Sequence, residues 1–248
     1  MNIDVVFHEN ECAFDADFGQ VQTASDGGFE RGYSAGYESG YVAGAATAEM
    51  DSARFATTMK FEDYSLFGGE VGEVTIYNQT SFASMFAVPK GVSNDTLRHL
   101  IVNSEVKPTS MNSMFRPASD SGVSLERLTL NFDTSNCTDF GNCFRGLRQL
   151  TVIDGTPLDF SAASTLDNYL FYVCTGLVEI RIKPQTIFKS IQLGTSHNLS
   201  DESIWSIIDG LADLTGGATQ TITFSNTVKQ RFGADKKDAI SAKNWTLA

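Results

Sequence analysis

Residue types that often carry chemistry are few and scattered in this sequence. The three histidines are His8, His99 and His197, and the four cysteines are Cys12, Cys137, Cys143 and Cys174. None of the histidines lies in a catalytic motif, and no cysteine is part of a CxxC pair or has a histidine at zinc-site spacing. Oxygen-bearing side chains alternate in NFDTSNCTD at 131–139, but this segment lacks the glycine and terminal glutamate of a calcium loop. The sequence therefore predicts a protein that is not an enzyme and holds no cofactor or metal ion.

Three seven-residue phrases repeat at a constant spacing: TSFASMF at 80–86, TSMNSMF at 109–115 and TDFGNCF at 138–144. Their threonines lie 29 residues apart both times, and a looser copy, TLDNYLF, follows at 165–171. A period of this length indicates stacked supersecondary units. The apolar residues of each phrase are spaced i, i+3, i+4, which predicts one helical turn with a single buried face. We expect the final phenylalanines, Phe86, Phe115 and Phe144, to be buried and stacked. Cys143 replaces a methionine and is expected to be a small buried hydrophobic residue.

A second phrase, apolar-x-x-apolar-x-apolar, predicts the strands between these turns. It occurs at 71–76, 97–102, 125–130, 147–152 and 177–182, and more weakly at 219–224. The last three positions of each phrase alternate as a half-buried strand requires. The fold class predicted is therefore an α/β repeat, a solenoid of about six irregular rungs that each hold a strand and a short helix.

The middle residue of each predicted strand would point away from the core. These residues would form one outward ladder: Thr75, Ile101, Thr129, Thr151, Arg181 and Thr223. We interpret this ladder as a candidate binding face. The alternative is that these residues only satisfy β-propensity on a solvated face.

The C-terminal part is predicted to be helical. In SDESIWSIIDGLADL at 200–214, Ser200 is a candidate N-cap, and isoleucines and leucines form an apolar stripe that ends at Leu214. Gly216 and Gly217 would end this helix. The closing DKKDAISAKNWTLA at 235–248 is predicted as a short helix whose Trp245 covers the last rung.

Charge divides the chain near residue 51. The protein has 248 residues and a formal charge of −12, which disfavours nucleic acid as a partner. Residues 1–51 hold ten acidic residues and one basic residue, Arg31, so we predict an N-terminal segment over 1–51 and a repeat domain over 52–248. No signal peptide pattern and no apolar run of transmembrane length are visible, so we expect synthesis in the cytoplasm without membrane insertion.

The N-terminal segment begins with an alternating strand around Ile3–Phe7 and then becomes rich in glycine and tyrosine. Between residues 29 and 48 a glycine recurs every fourth position, and three of the glycines precede a tyrosine: Gly32, Tyr33, Gly36, Tyr37, Gly40, Tyr41 and Gly44. In a helix, four such glycines cost about 3–4 kcal/mol relative to alanine. Close packing against another helix would offset this cost. We therefore expect an assembly helix and a homo-oligomer, with a trimer as the first expectation. The alternative is a flexible linker.

The repeat phrases and the ending AISAKNWTLA resemble BspA-type leucine-rich repeat proteins, including those in prophages of gut bacteria, over about residues 60–248. The segment FDADFGQVQTASDGGFERGYSAGYESGY resembles the N-termini of tail-region proteins in phages and prophages of Firmicutes. Together these resemblances imply a phage virion structural protein of the tail or baseplate region, assembled in the host cytoplasm. Its partners would be other virion proteins and a host cell-surface protein or glycan. The alternatives are a bacterial BspA-like surface adhesin and a head decoration or head fibre protein.

Overall fold

The computed structural model describes residues 2–8, 11–16, 70–77, 79–90, 92, 96–118, 123–166 and 169–248. In chain order the strands are β1 Asn2–His8, β2 Glu11–Ala16, β3 Val71–Ile76, β4 His99–Ser104, β5 Arg127–Asn131, β6 Val152–Leu158, β7 Glu179–Ile182, β8 Ile191–Leu193, β9 Gln220–Phe224 and β10 Trp245–Leu247. The helices in the described part are α1 Asp201–Gly210, α2 Asn226–Lys229 and α3 Ala234–Ala242. These ranges thus form an α/β fold with few helices.

Five parallel strands, β3 to β7, form the body of a sheet with the order β2-β1-β3-β4-β5-β6-β7. Strand β1, predicted from the sequence, pairs parallel with β3, and β2 pairs antiparallel with β1 at the sheet edge. A second, smaller parallel sheet has the order β10-β9-β8. The predicted assembly helix over residues 29–48 lies outside the described residues.

Alternation of apolar and polar residues determines which face of the large sheet is buried. In β4 and β5 the side chains of Leu100, Val102, Leu128 and Leu130 are buried, while the residues between them are at least partly exposed. This pattern confirms strands near the predicted positions. The register pairs Leu100 with Leu128 and Val102 with Leu130, so equivalent residues of adjacent strands meet in the core.

The structure corrects the predicted start of the strand phrase that leads into β6. Backbone amides of Arg98, Glu126, Thr151 and Val178 each donate to the equivalent carbonyl of the preceding repeat, at 2.7–2.9 Å. The leucines just before them are therefore equivalent: Leu97, Leu125, Leu150 and Leu177. The steps between these leucines are 28, 25 and 27 residues, whereas the predicted strand at 147–152 began too early because Leu147 is also buried.

The sulfur–phenylalanine phrases are turns, and the predicted helical turns are wrong. Ser84, Ser113 and Asn142 adopt left-handed backbone conformations with φ of 56°, 55° and 55°. Alternate backbone amides of each phrase donate to backbone carbonyls of the next repeat and not to the carbonyl four residues back in their own repeat. Examples are Phe82 N to Ser110 O and Met111 N to Asp139 O, both at 2.8 Å. These bonds between repeats replace the bonds that a helix would need.

The predicted phenylalanine stack is confirmed and is longer than predicted. Ring centroids of Phe86 and Phe115 lie 5.4 Å apart, those of Phe115 and Phe144 lie 5.8 Å apart, and Phe171 adds a fourth ring at 5.4 Å from Phe144. Interplanar angles are 6–8°, and all four rings are fully buried. Cys143 is buried as predicted, and burial raises the pKa of its thiol well above the usual value.

The C-terminal elements differ from the prediction in where they end. Ser200 caps α1 by accepting a hydrogen bond from Ser203 N at 3.1 Å, as predicted, but α1 ends at Gly210 rather than at the later glycine pair. The closing segment is a helix followed by strand β10, because Asn244 turns the chain with φ 62°. Trp245 is buried as expected, and its indole N–H donates to Ala212 O at 2.9 Å.

Candidate functional site

The predicted outward ladder is only partly assembled by the structure. Ile101 and Thr129 are direct neighbours on β4 and β5, and Glu73 and Asp154 extend this row to four strands. Of the other predicted residues, Thr75 pairs with Asn103, Thr151 precedes β6 and Thr223 pairs with Gln192 in the small sheet, whereas Arg181 on β7 lines one groove with Asp154. The predicted single ladder of six residues is therefore wrong.

Sequence reasoning missed Glu73 and Asp154, although a signal for Glu73 was present. The sulfur–phenylalanine phrases repeat every 29 residues, whereas the predicted strands at 71 and 97 are only 26 residues apart. Applying the longer period to Ile101 places its neighbour near residue 73 and not at Thr75. For Asp154 no comparable signal exists. The predicted position of β6 depends on whether Leu147 or Leu150 is taken as the start of the strand phrase, and both leucines are buried.

A hydrogen-bonded chain of four side chains crosses three strands on the outward face. His99 Nε2 lies 2.8 Å from Thr129 Oγ1, and this hydroxyl donates to Asp154 Oδ1 at 2.6 Å. Arg127 donates to the other carboxylate oxygen of Asp154 and forms an ion pair with it. The two oxygens of one carboxylate therefore hold the side chains of the neighbouring strand in fixed positions. We call this set the polar cluster.

The protonation states in the polar cluster follow from its geometry. Burial acts to raise the pKa of Asp154, but hydrogen bonds from Thr129 and Arg127 and the charges of Arg127 and His99 outweigh it and lower this pKa. Burial and the Arg127 charge lower the pKa of His99, with Asp154 opposing them. Asp154 is therefore an acceptor, Thr129 donates its proton to Asp154, and His99 must donate through Nε2–H.

This proton arrangement argues against nucleophilic catalysis by Thr129. A general base must accept the proton of the attacking hydroxyl, yet His99 donates to that oxygen. The arrangement suits binding, because the hydroxyl, imidazole and guanidinium groups are held in place before a ligand arrives.

A second row of polar side chains continues the same face. Asn103 donates to Glu73 Oε1 at 2.8 Å, and Asn131 donates to Asn103 Oδ1 at 2.9 Å. Three adjacent strands are thus joined by side chains as well as by backbone. This amide row and the polar cluster together form what we call the sheet face.

A groove of about 420 Å³ lies at the β7 end of the sheet face. Its lining includes Asp154, Glu179 and Arg181 from the strands and Glu202 from α1. Helix α1 closes the sheet edge, because Ser203 and Ser206 accept hydrogen bonds from the backbone amides of Ile180 and Ile182 at 3.0 and 2.9 Å. The groove therefore combines charges of both signs beside a rigid helix.

The described ranges contain neither a metal-binding group nor a membrane-spanning helix. No group of three or more His, Cys, Asp or Glu side chains there could hold a metal ion. Of the helices in the same ranges, none is long and apolar enough to cross a membrane. Comparison of the chain with protein-family models, curated proteins and solved structures finds no match.

Proposed function

We propose that this protein acts by binding rather than by catalysis, and that its repeat domain is a leucine-rich-repeat solenoid of about six irregular rungs. Two observations support the solenoid: the parallel register of β3 to β7 and the four-ring phenylalanine stack. Equivalent apolar side chains of successive repeats meet in the core, as expected for repeat proteins, whose stability comes from contacts between neighbouring repeats.

The observation that carries the binding proposal is the preorganised sheet face. Its polar side chains are joined across strands, so a ligand would meet donors and acceptors that have already lost their conformational freedom. Mixed charges from Arg127, Asp154, Glu179 and Arg181 favour a polar partner, either a protein or a glycan, and provide electrostatic specificity.

The proposed setting is a phage virion, in the tail or baseplate region. This part of the proposal rests on the resemblance of the N-terminal segment to virion tail-region proteins and on the glycine–tyrosine pattern expected to mediate assembly. In this setting the N-terminal segment attaches to other virion proteins, and the sheet face contacts a protein or the host surface.

A pair of matched charge reversals tests the binding role. Arg181 and Lys189 are both exposed, but only Arg181 lines the groove of the sheet face. With labelled protein and host cells, we expect Arg181→Glu to weaken binding by about tenfold, whereas Lys189→Glu leaves it unchanged. Equal binding by both variants, with circular dichroism showing both folded, would rule out the sheet face as the contact surface.

A further inference from the structure

A second groove, of about 400 Å³, lies among the turns that follow the phenylalanine stack. Three arginines line it, Arg116, Arg145 and Arg148, together with Gln149 and Tyr172. It shares no lining residue with the groove beside α1. We call it the arginine groove.

The repeat itself places these side chains in a row. Arg116, Arg145 and Tyr172 each follow a ring of the phenylalanine stack directly, so they occupy equivalent positions in successive repeats. Gly146 N donates to Tyr172 O at 2.9 Å, which keeps the last two turns side by side. The spacing between neighbouring side chains of the row is therefore set by the stack.

The charge of the arginine groove is not balanced within the described part of the chain. There, Arg98, Arg127 and Arg231 each form an ion pair with a carboxylate, whereas Arg116 and Arg148 form none and no acidic side chain lines the groove. Among the described residues this row of like charges has no counter-charge, which is unfavourable, and in a chain of net charge −12 it is also unexpected. An anionic ligand would remove this repulsion.

Aromatic rings frame the cationic row. The Arg145 guanidinium carbon lies 4.7 Å from the Tyr169 ring centroid and 5.6 Å from the Tyr172 centroid, and its Nη1 donates to Asn142 Oδ1 at 2.9 Å. Both tyrosines remain exposed, at 45% and 42%. Arg145 is thus held in place against two rings that still offer surface to a ligand.

We infer that the arginine groove binds an acidic saccharide, a sugar chain that carries carboxylate or phosphate groups. Guanidinium groups recognise both anions through paired hydrogen bonds. Exposed tyrosine rings pack against the apolar faces of sugar rings, and Gln149 offers an amide to their hydroxyl groups. The row of charges fits a ligand whose acidic groups repeat along a chain. This inference concerns a surface distinct from the sheet face and does not depend on the virion setting.

Calorimetric titration of the full chain with defined probes tests the inference. The probes are a galacturonic acid hexamer for carboxylate, a phosphorylated mannan fragment for phosphate, maltohexaose as the neutral sugar and a glutamate hexamer as the acid without sugar. We expect one or both acidic sugars to bind, with an affinity that falls as salt rises, and maltohexaose and the glutamate hexamer to bind at least about tenfold more weakly.

A matched pair of double variants locates the site. Arg116→Gln with Arg148→Gln should weaken binding of the acidic sugar by about tenfold or more, while Lys189→Gln with Lys237→Gln removes the same charge elsewhere and should change it less than about twofold. Equal losses in the two variants would overturn the inference. Glutamate hexamer binding as tightly as the acidic sugars would also overturn it, in favour of an acidic peptide. No binding of either acidic sugar would overturn it even if the sheet face binds host cells.

Discussion

Truncating Phe115 tests the repeat architecture most severely, because this ring lies in the interior of the phenylalanine stack. It is fully buried and stacks on two neighbours, Phe86 at 5.4 Å and Phe144 at 5.8 Å. Replacing a buried phenylalanine with alanine costs about 3–5 kcal/mol through lost burial and the cavity that remains. A stacked aromatic pair contributes about 0.5–1.5 kcal/mol beyond its buried area, and Phe115→Ala breaks two such pairs, which places its cost toward the upper end of this range.

Phe188 provides the matched control, because it is 43% exposed and undergoes the same chemical change. Urea denaturation followed by far-UV circular dichroism would give the free energy of unfolding for both variants and the parent. We expect Phe188→Ala to cost less than about 1 kcal/mol. A loss for Phe115→Ala no larger than that for Phe188→Ala would refute the stacked register.

Three further predictions follow from single features. Ser113 has φ 55°, so Ser113→Val should cost about 1–2 kcal/mol in the free energy of unfolding, whereas Ser113→Asn should be nearly neutral because asparagine tolerates this conformation. Burial acts to raise the pKa of Asp159, but hydrogen bonds from Lys183 and Ser161 lower it below 3.8. The Asp159 carboxylate therefore contributes its full stabilisation above its unfolded-state pKa, and this contribution is lost as the pH falls through its folded-state pKa. The free energy of unfolding, measured from about pH 6 to about pH 3, should therefore fall less steeply for Asp159→Asn than for the parent protein. Filling the predicted glycine stripe with Gly36→Leu and Gly40→Leu should lower the oligomeric mass of the full chain in light scattering, and an unchanged mass would contradict an assembly role for this segment.

The core could be predicted from sequence because its pattern is local. The sulfur–phenylalanine phrases carry the same inward residues at the same positions, so stacking one copy on the next was the arrangement that buries them all. The same residues did not reveal the backbone conformation. A helical turn and a left-handed turn both bury positions i, i+3 and i+4, and the choice between them depends on hydrogen bonds to the neighbouring repeat.

A weak signal for the turn was nevertheless present. The fifth position of the phrase is Ser84, Ser113 or Asn142, all with short polar side chains, and asparagine is among the residues that adopt a left-handed conformation at low cost. A serine at this position does not by itself favour a left-handed turn over a helical turn. Three such residues at equivalent positions would have favoured a turn over a helix.

The irregular strand β6 explains why the sheet face was only partly predicted. The register between β6 and β7 shifts between Ile153 and Leu158, and Gly155 lies in this interval with φ 89°. A side chain at Gly155 would meet Leu130 O at 2.5 Å, so the close approach of β5 requires glycine. The sequence shows the glycine but does not show which neighbouring strand approaches it, and the position of Asp154 in the polar cluster depends on that approach.

Quantitative mass spectrometry of gradient-purified phage particles tests the proposed function most directly. Particles would be induced from a bacterium that carries the gene for this chain, and tail and head fractions would be separated before analysis. We predict that the chain is found in the tail fraction at a constant ratio to other tail proteins. Its absence from particles, together with its recovery in the bacterial cell envelope, would contradict the virion assignment and favour the surface adhesin.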